Sequence, residues 1–169
     1  MVDYQFVTPR LAVGSAIGTS QNMRELARAG ITHVVNMQVE FDDRAISDGT
    51  GVEILWNGCD DDFLPKPSRL FWQGVRFTLS ALQTPGTKVF VHCAAGVHRS
   101  PLMLLAILRA QGYPAQEAIA LITAARPQAD FPLAYLESIE NFMLEYQATS
   151  ETARRSLPSR GHCENHPQE

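Results

Sequence analysis

The chain has few cysteines. There are three among 169 residues, and Cys59, Cys93 and Cys163 form an odd, widely spaced set that excludes a disulfide framework and points to a reducing compartment. Long apolar runs are also missing: the longest covers residues 102–108, whereas a membrane-spanning helix needs about 20. No membrane partner is expected on that ground. Positive charge is not in excess, because fourteen Lys and Arg against eighteen Asp and Glu leave a formal charge of -4. The electropositive surface that binds nucleic acid is therefore not expected. No repeat of fixed period is visible, which excludes solenoids and propellers. The opening MVDYQFVTPR has no basic segment followed by an apolar stretch, so a secretory leader is not expected and cytoplasm is the predicted setting.

What is present, 45% apolar and 19% charged residues, is the balance of an ordinary globular chain, and the length suits one core. Composition shifts once, near Ala148. Residues 1–147 are expected to fold as the domain, and the polar stretch 148–169 reads as a flexible tail. In that tail His162, Cys163 and His166 would suit a metal clip, though a solvated terminus is the simpler reading.

Within the domain, apolar clusters of strand length alternate with stretches of helical period, the pattern of an α/β fold with parallel strands. Strands are expected at 11–13, 31–37, 52–56 and 88–92. A first helix capped by Ser20 should stop at Gly30. Phe71, Val75, Leu79 and Leu82 recur at helical spacing behind Pro67. Residues 101–108 are apolar nearly all round, so that helix should be buried. Further helices are expected at 114–125 and about 132–147.

The most informative stretch is HCAAGVHRS, residues 92–100, between a buried strand and the buried helix. A helix opening after a short curved loop offers unpaired N–H groups and the positive end of its dipole, which together cradle an oxyanion. Ala94, Ala95, Gly96, Val97, His98 and Arg99 would supply that cradle. Arg99 adds a guanidinium able to bind two phosphoryl oxygens, and Gly96 allows close backbone approach. Cys93 at the mouth of such a site is favoured as thiolate, a nucleophile. Ser100 could donate to the sulfur as it leaves.

HCAAGVHRS resembles the signature loop of cysteine-dependent protein tyrosine phosphatases, closest to the small dual-specificity branch. The stretches FVTPRLAVGS, from Phe6, and AGITHVVNM, from Ala29, resemble the opening strand and a strand entry of that branch, so the likeness runs over about residues 5–147. It implies a three-layer α/β sandwich with a mostly parallel central sheet. It also implies a metal-independent, cofactor-free phosphomonoester hydrolase acting on phosphorylated protein or a small phosphomonoester. In that reaction Cys93 takes the phosphoryl group, an Asp protonates the leaving oxygen, and water hydrolyses the phosphocysteine. His92 is expected to orient the loop, while His98 either adds a cation to the rim or points into solvent.

The resemblance places the acid in the stretch CDDDFLPKP, residues 59–67. Asp62 fits its spacing best, Asp61 is second, and Asp60 completes the candidates. Cys59 reads as a buried small residue rather than an oxidation partner of Cys93. No water-positioning residue stands out in RPQADFP, residues 126–132, where Gln128 and Asp130 are the only guesses. Two other readings stay open: a non-catalytic phosphate-binding module, and a sulfurtransferase or arsenate-reducing enzyme built on the same type of loop. The physiological substrate and the oligomeric state are not legible.

Overall fold

The computed structural model describes residues 1–155. Five strands, β1 (Tyr4–Thr8), β2 (Leu11–Gly14), β3 (His33–Asn36), β4 (Glu53–Trp56) and β5 (Val89–His92), form one sheet in the order β1-β2-β5-β3-β4. β1 runs antiparallel to β2, and the remaining pairs are parallel. The helices are α1 (Ser20–Arg28), α2 (Ser68–Ala81), α3 (Arg99–Ala110), α4 (Ala115–Ala125) and α5 (Leu133–Arg155), with a 3-10 turn at Asp43–Ile46.

Residues on the three central strands show why the sheet is covered on both faces. Val13, Val91 and Val35 lie side by side across β2, β5 and β3 and face a core shared with α2, α3, α4 and α5. Their neighbours Ala12, Phe90 and Val34 alternate to the other face, against Met23 and Leu26 of α1. Strands buried on both sides read as continuous apolar runs, as 89–91 does. Three layers result, α1 over the sheet over α2 to α5, in agreement with the α/β sandwich expected. α3 is buried from Arg99 through Leu108, which is why its sequence shows no polar face.

Two boundaries differ from expectation. Thr19, not Ser20, caps α1: its backbone is extended and its side chain accepts from the Asn22 amide at 3.1 Å. The last helix does not end at Gln147 but continues to Arg155. The period of apolar residues fades there, yet Ala and Glu favour helix, and Thr149, Ser150 and Thr152 satisfy their hydroxyls on carbonyls one turn back. The proposed clip of His162, Cys163 and His166 lies outside the described residues.

The parallel strands end together: Gly14, His92 and Asn36 are register partners at their carboxyl ends. The next residue on β5 is Cys93. A ligand site in an α/β sheet belongs at this edge.

Candidate active site

Residues 93–98 turn from β5 into α3, and the orientation of their peptide groups is fixed by who takes their carbonyls. Ala94 O accepts from the Ala16 amide (3.1 Å), Val97 O from the Asp130 amide (2.8 Å) and His98 O from the Leu102 amide (2.9 Å). Between them, Ala95 O and Gly96 O are bound by Arg126, through Nη2 at 3.0 Å and Nε at 2.6 Å. With the carbonyls drawn outward, the amides turn inward. Those of Ala94, Ala95, Val97 and His98 find no acceptor among the described residues, and the first turn of α3 adds its own free N–H groups. A curved loop with amides free of protein acceptors is an arrangement that can receive an oxyanion.

Gly96 is required here on two counts. Its φ is +70°, and a Cβ would stand 2.4 Å from Arg126 Nη2 and 2.7 Å from the Gly14 carbonyl.

Cys93 lies at the floor of the loop, 1% exposed. Its Sγ accepts from the Gly96 amide at 3.2 Å and lies 3.3 Å from Ser100 Oγ. The Ser100 hydroxyl also reaches Gly14 O at 3.1 Å. One hydroxyl proton can serve only one of these acceptors, so it can rest on the carbonyl beside a thiol and swing to the sulfur beside a thiolate.

Arg99 is 3% exposed along its side chain and is held in a fork: Nη1 and Nη2 donate to Glu40 Oε2 and Oε1 at 2.9 and 3.0 Å. Nη1 also donates to Cys59 O at 3.1 Å. This pairing holds the Glu40 carboxyl below its ordinary range. Nε, buried, has no hydrogen-bond partner among the described residues, and Asp61 Oδ2 lies 3.7 Å from it. That edge is the one left to a bound oxyanion.

His92 is fully buried. Its Nε2 meets Asp43 Oδ2 at 2.5 Å, its Nδ1 lies 3.4 Å from Cys93 O, and its ring stacks on Phe90. It therefore orients the chain at Cys93 and does not face the cradle.

The acid expected at Asp62 is not brought to the site. Asp62 Oδ1 is taken by Lys66 Nζ at 2.5 Å and by the Leu64 amide at 3.0 Å, within its own loop. The Lys66 hydrogen bond holds its carboxyl below the usual range, the wrong direction for a proton donor. Asp61 is the carboxylate that reaches the cradle. Oδ2 lies 3.2 Å from His98 Nδ1, and Oδ1 accepts from the Tyr135 hydroxyl at 3.2 Å. Burial pushes that phenol up to about 12, so it remains a donor. Phe63, at φ 58°, is the one non-glycine residue in left-handed backbone among those described. Its amide donates to the same Tyr135 oxygen at 3.3 Å, and its ring stands edge-on to His98 at 4.9 Å. The Asp60 side chain forms no hydrogen bond among the described residues.

His98 does not point into solvent: it lies between Asp61 and Asp130, with Nε2 3.4 Å from Asp130 Oδ2. The side chain of Gln128 is exposed and forms no hydrogen bond with the loop among the described residues. Cys59 is half-buried, and burial pushes its thiol up to about 11. Sequence reasoning did not single out Glu40, Asp43, Arg126 or Tyr135. Arg126 alone left a signal, as a lone Arg before Pro between two apolar helices; the others touch the site across long chain separations with no local pattern.

Comparison with known proteins places this geometry. The model for "Dual specificity phosphatase, catalytic domain" matches residues 13–144. Dual specificity protein phosphatase 26 of Rattus norvegicus is 36% identical over 104 residues, covering 60% of this chain and 49% of that protein. Dual specificity protein phosphatase 13B of Homo sapiens is 33% identical over 144 residues, 80% of this chain and 71% of the other. The chain thus spans about half the length of the first of these relatives. Among solved structures, PTPMT1 superposes with a TM-score of 0.75 at 25% identity, covering 88% of this chain and 99% of that one. Human DUSP28 gives 0.73 at 24%, covering 85% and 95%. With the match running through β2, the phosphate loop and most of α5, the chain belongs to the dual-specificity phosphatase family of cysteine-dependent protein tyrosine phosphatases.

Proposed function

We propose that the protein hydrolyses phosphomonoesters on phosphorylated protein through a phosphocysteine intermediate, with Cys93 as nucleophile and Asp61, in place of Asp62, as acid and base. The observation that carries this reading is the loop itself, which joins a buried Sγ, amides without protein acceptors and the free Nε edge of Arg99, with the Asp61 carboxylate 3.7 Å from that edge. In the first step Sγ forms a bond to phosphorus and the bond to the leaving oxygen breaks. Asp61 gives that oxygen its proton, while the loop amides and Arg99 hold the non-bridging oxygens. Water then attacks phosphorus, Asp61 takes its proton, the S–P bond breaks and Ser100 donates to the departing sulfur. A reducing, cytoplasmic setting suits a nucleophile of this kind.

A structural neighbour, PTPMT1, has been solved in complex with PI(5)P. The mouth of the present site favours a singly phosphorylated residue over such a polyanion. Among the described residues at the mouth, the Arg99 guanidinium is already opposed by Glu40, and His98 stands between the carboxylates of Asp61 and Asp130, surroundings that disfavour a second phosphate.

Hydrolysis of an aryl phosphate and a phosphotyrosine peptide, with reductant and chelator present, tests the reading. Cys93→Ser should abolish turnover. Asp61→Asn should lower kcat by roughly 10²–10⁴, whereas Asp62→Asn should stay within a few-fold of the wild type. A wild type that binds phosphate without turnover would favour a binding module. Equal losses in the two Asp variants would return the assignment of the acid to Asp62.

A further inference from the structure

The row of register partners at the carboxyl ends of the parallel strands has a fourth member. Trp56 on β4 pairs with Asn36, so it stands on the same edge of the sheet as His92, two strands away. At about 4.8 Å per strand, that is roughly 10 Å from the start of the phosphate loop. Of the nine large apolar side chains exposed among the described residues, five (Val39, Phe41, Trp56, Phe63 and Leu64) lie at this edge or on the loops that leave it. Apolar exposure is thus concentrated where a substrate must approach.

Between the ends of β3 and β4 and the start of α2 runs a groove of about 400 Å³, lined by Val39, Trp56, Pro67 and Arg69 and reaching Cys59 and Asp60. Its walls are tied together: Trp56 Nε1 donates to Gln38 O at 2.6 Å, and Asn57 Nδ2 donates to Leu70 O at 2.9 Å. The groove shares residues with the active site, because the Cys59 carbonyl holds Arg99 and Asp60 directly precedes Asp61. Asp62 and Lys66 also line it, and each neutralises the other. Two charges are left, both exposed and with side chains that have no partner among the described residues: Asp60 at the end near the acid, and Arg69 in the first turn of α2. That turn carries no acidic residue, and Pro67 caps it without a side-chain bond, so the end of the groove away from the acid is positive.

We propose that this groove binds the segment of a phosphorylated protein next to its phosphoresidue, taking a large apolar side chain on Val39 and Trp56 and a carboxylate at Arg69. The proposal rests on the hydrolase reading above. A phosphate seated in the loop fixes where the attached chain begins, and an extended chain advances about 3.3 Å per residue. The third residue from the phosphoresidue therefore reaches as far as Trp56. A lysine carried to the same place would meet Arg69 and the positive end of α2, whereas a carboxylate would pair with the free guanidinium. Arg69 is thus a specificity-determining residue that takes no part in the chemistry.

Phosphotyrosine peptides carrying leucine and glutamate about three residues from the phosphotyrosine, in one series on its amino side and in another on its carboxyl side, test this. In one of the two series, exchanging glutamate for lysine should lower kcat/KM by up to about five-fold, the worth of an exposed ion pair. Exchanging leucine for serine should lower it by at least about five-fold. Arg69→Glu should reverse the charge preference and keep the preference for leucine, and Val39→Ser should weaken only the latter. An aryl phosphate is too short to enter the groove, so both variants should hydrolyse it as the wild type does. Equal turnover of glutamate and lysine peptides in both series, or a charge preference that survives Arg69→Glu, would overturn the proposal. So would an equal loss on peptide and aryl phosphate, which would place the effect in the phosphate loop.

A second measurement needs no turnover. Fluorescence anisotropy of the same peptides, labelled, should show Cys93→Ser binding the glutamate peptide more tightly than the lysine peptide, and the order should reverse when Arg69→Glu is added. The same order in both proteins would overturn the groove. An inactive wild type would instead end the hydrolase reading, and the order of binding would still decide whether the groove selects its ligand.

Discussion

Cys59 and Cys93 both lie close to Arg99, yet their surroundings set opposite reactivities. Cys59 offers its carbonyl to the guanidinium, while its thiol is half-buried and pushed up to about 11 by burial. Cys93 instead receives the Gly96 amide on its sulfur, has a hydroxyl beside it and opens onto an oxyanion cradle. Iodoacetate, itself an anion, should therefore alkylate Cys93 first at neutral pH, with inorganic phosphate protecting it. Cys59 should react more slowly than a free thiol in solution, because the thiolate is the reacting form. Peptide mapping over time checks this, and labelling of Cys59 at the rate of Cys93 would refute it.

At the scale of elements, the phosphate loop is shaped by the groups around it as much as by its own sequence. Arg126 alone holds two adjacent loop carbonyls and is anchored behind by Gln5 Oε1 at 2.6 Å and Asp3 Oδ2 at 2.9 Å. Arg126→Met would release both carbonyls and remove hydrogen bonds to a charged donor worth about 1.5–3 kcal/mol each. The inward amides would lose their fixed direction. Binding of orthovanadate to the variant should weaken by at least about ten-fold, the equivalent of 1.4 kcal/mol. Arg126→Lys, whose ammonium cannot reproduce the planar fork, should recover only part of it. Vanadate affinity equal to wild type in Arg126→Met would show that the loop holds its own shape. The strand, loop and helix that carry Cys93 and Arg99 were legible because their signals are local: an apolar run, a glycine, an apolar helix. The spacing favoured Asp62, whereas it is Asp61 whose side chain meets the loop, because neighbouring side chains point apart. Lys66 draws Asp62 away while Tyr135 and His98 draw Asp61 in, and spacing along a chain does not encode that difference. Glu40 and Arg126 were missed because they meet the loop only after the chain has folded.

Across the whole molecule, two arginine–carboxylate pairs tie the edge of the sheet to the site: Arg126 to Asp3, ahead of β1, and Arg99 to Glu40, after β3. Hydrogen bonds from these arginines hold both carboxyls below their ordinary range. A carboxyl depressed in the folded state binds fewer protons there than in the unfolded chain. Its contribution to stability is therefore complete above the unfolded carboxylate range and is lost as pH falls through the folded value. Both carboxylates are half-exposed, so solvent screens the pairs and each contribution is small. Urea unfolding of the wild type and Asp3→Asn should therefore differ most near neutrality and converge as the pH falls below the ordinary carboxylate range. Glu40→Gln should behave in the same way for stability, and it should also weaken vanadate binding, because its carboxylate is what aims Arg99. A stability difference between wild type and Asp3→Asn that stays constant from neutral to acid pH would mean that the strand is held by packing alone. The tie from Asp3 through Arg126 to the phosphate loop would then have no electrostatic part.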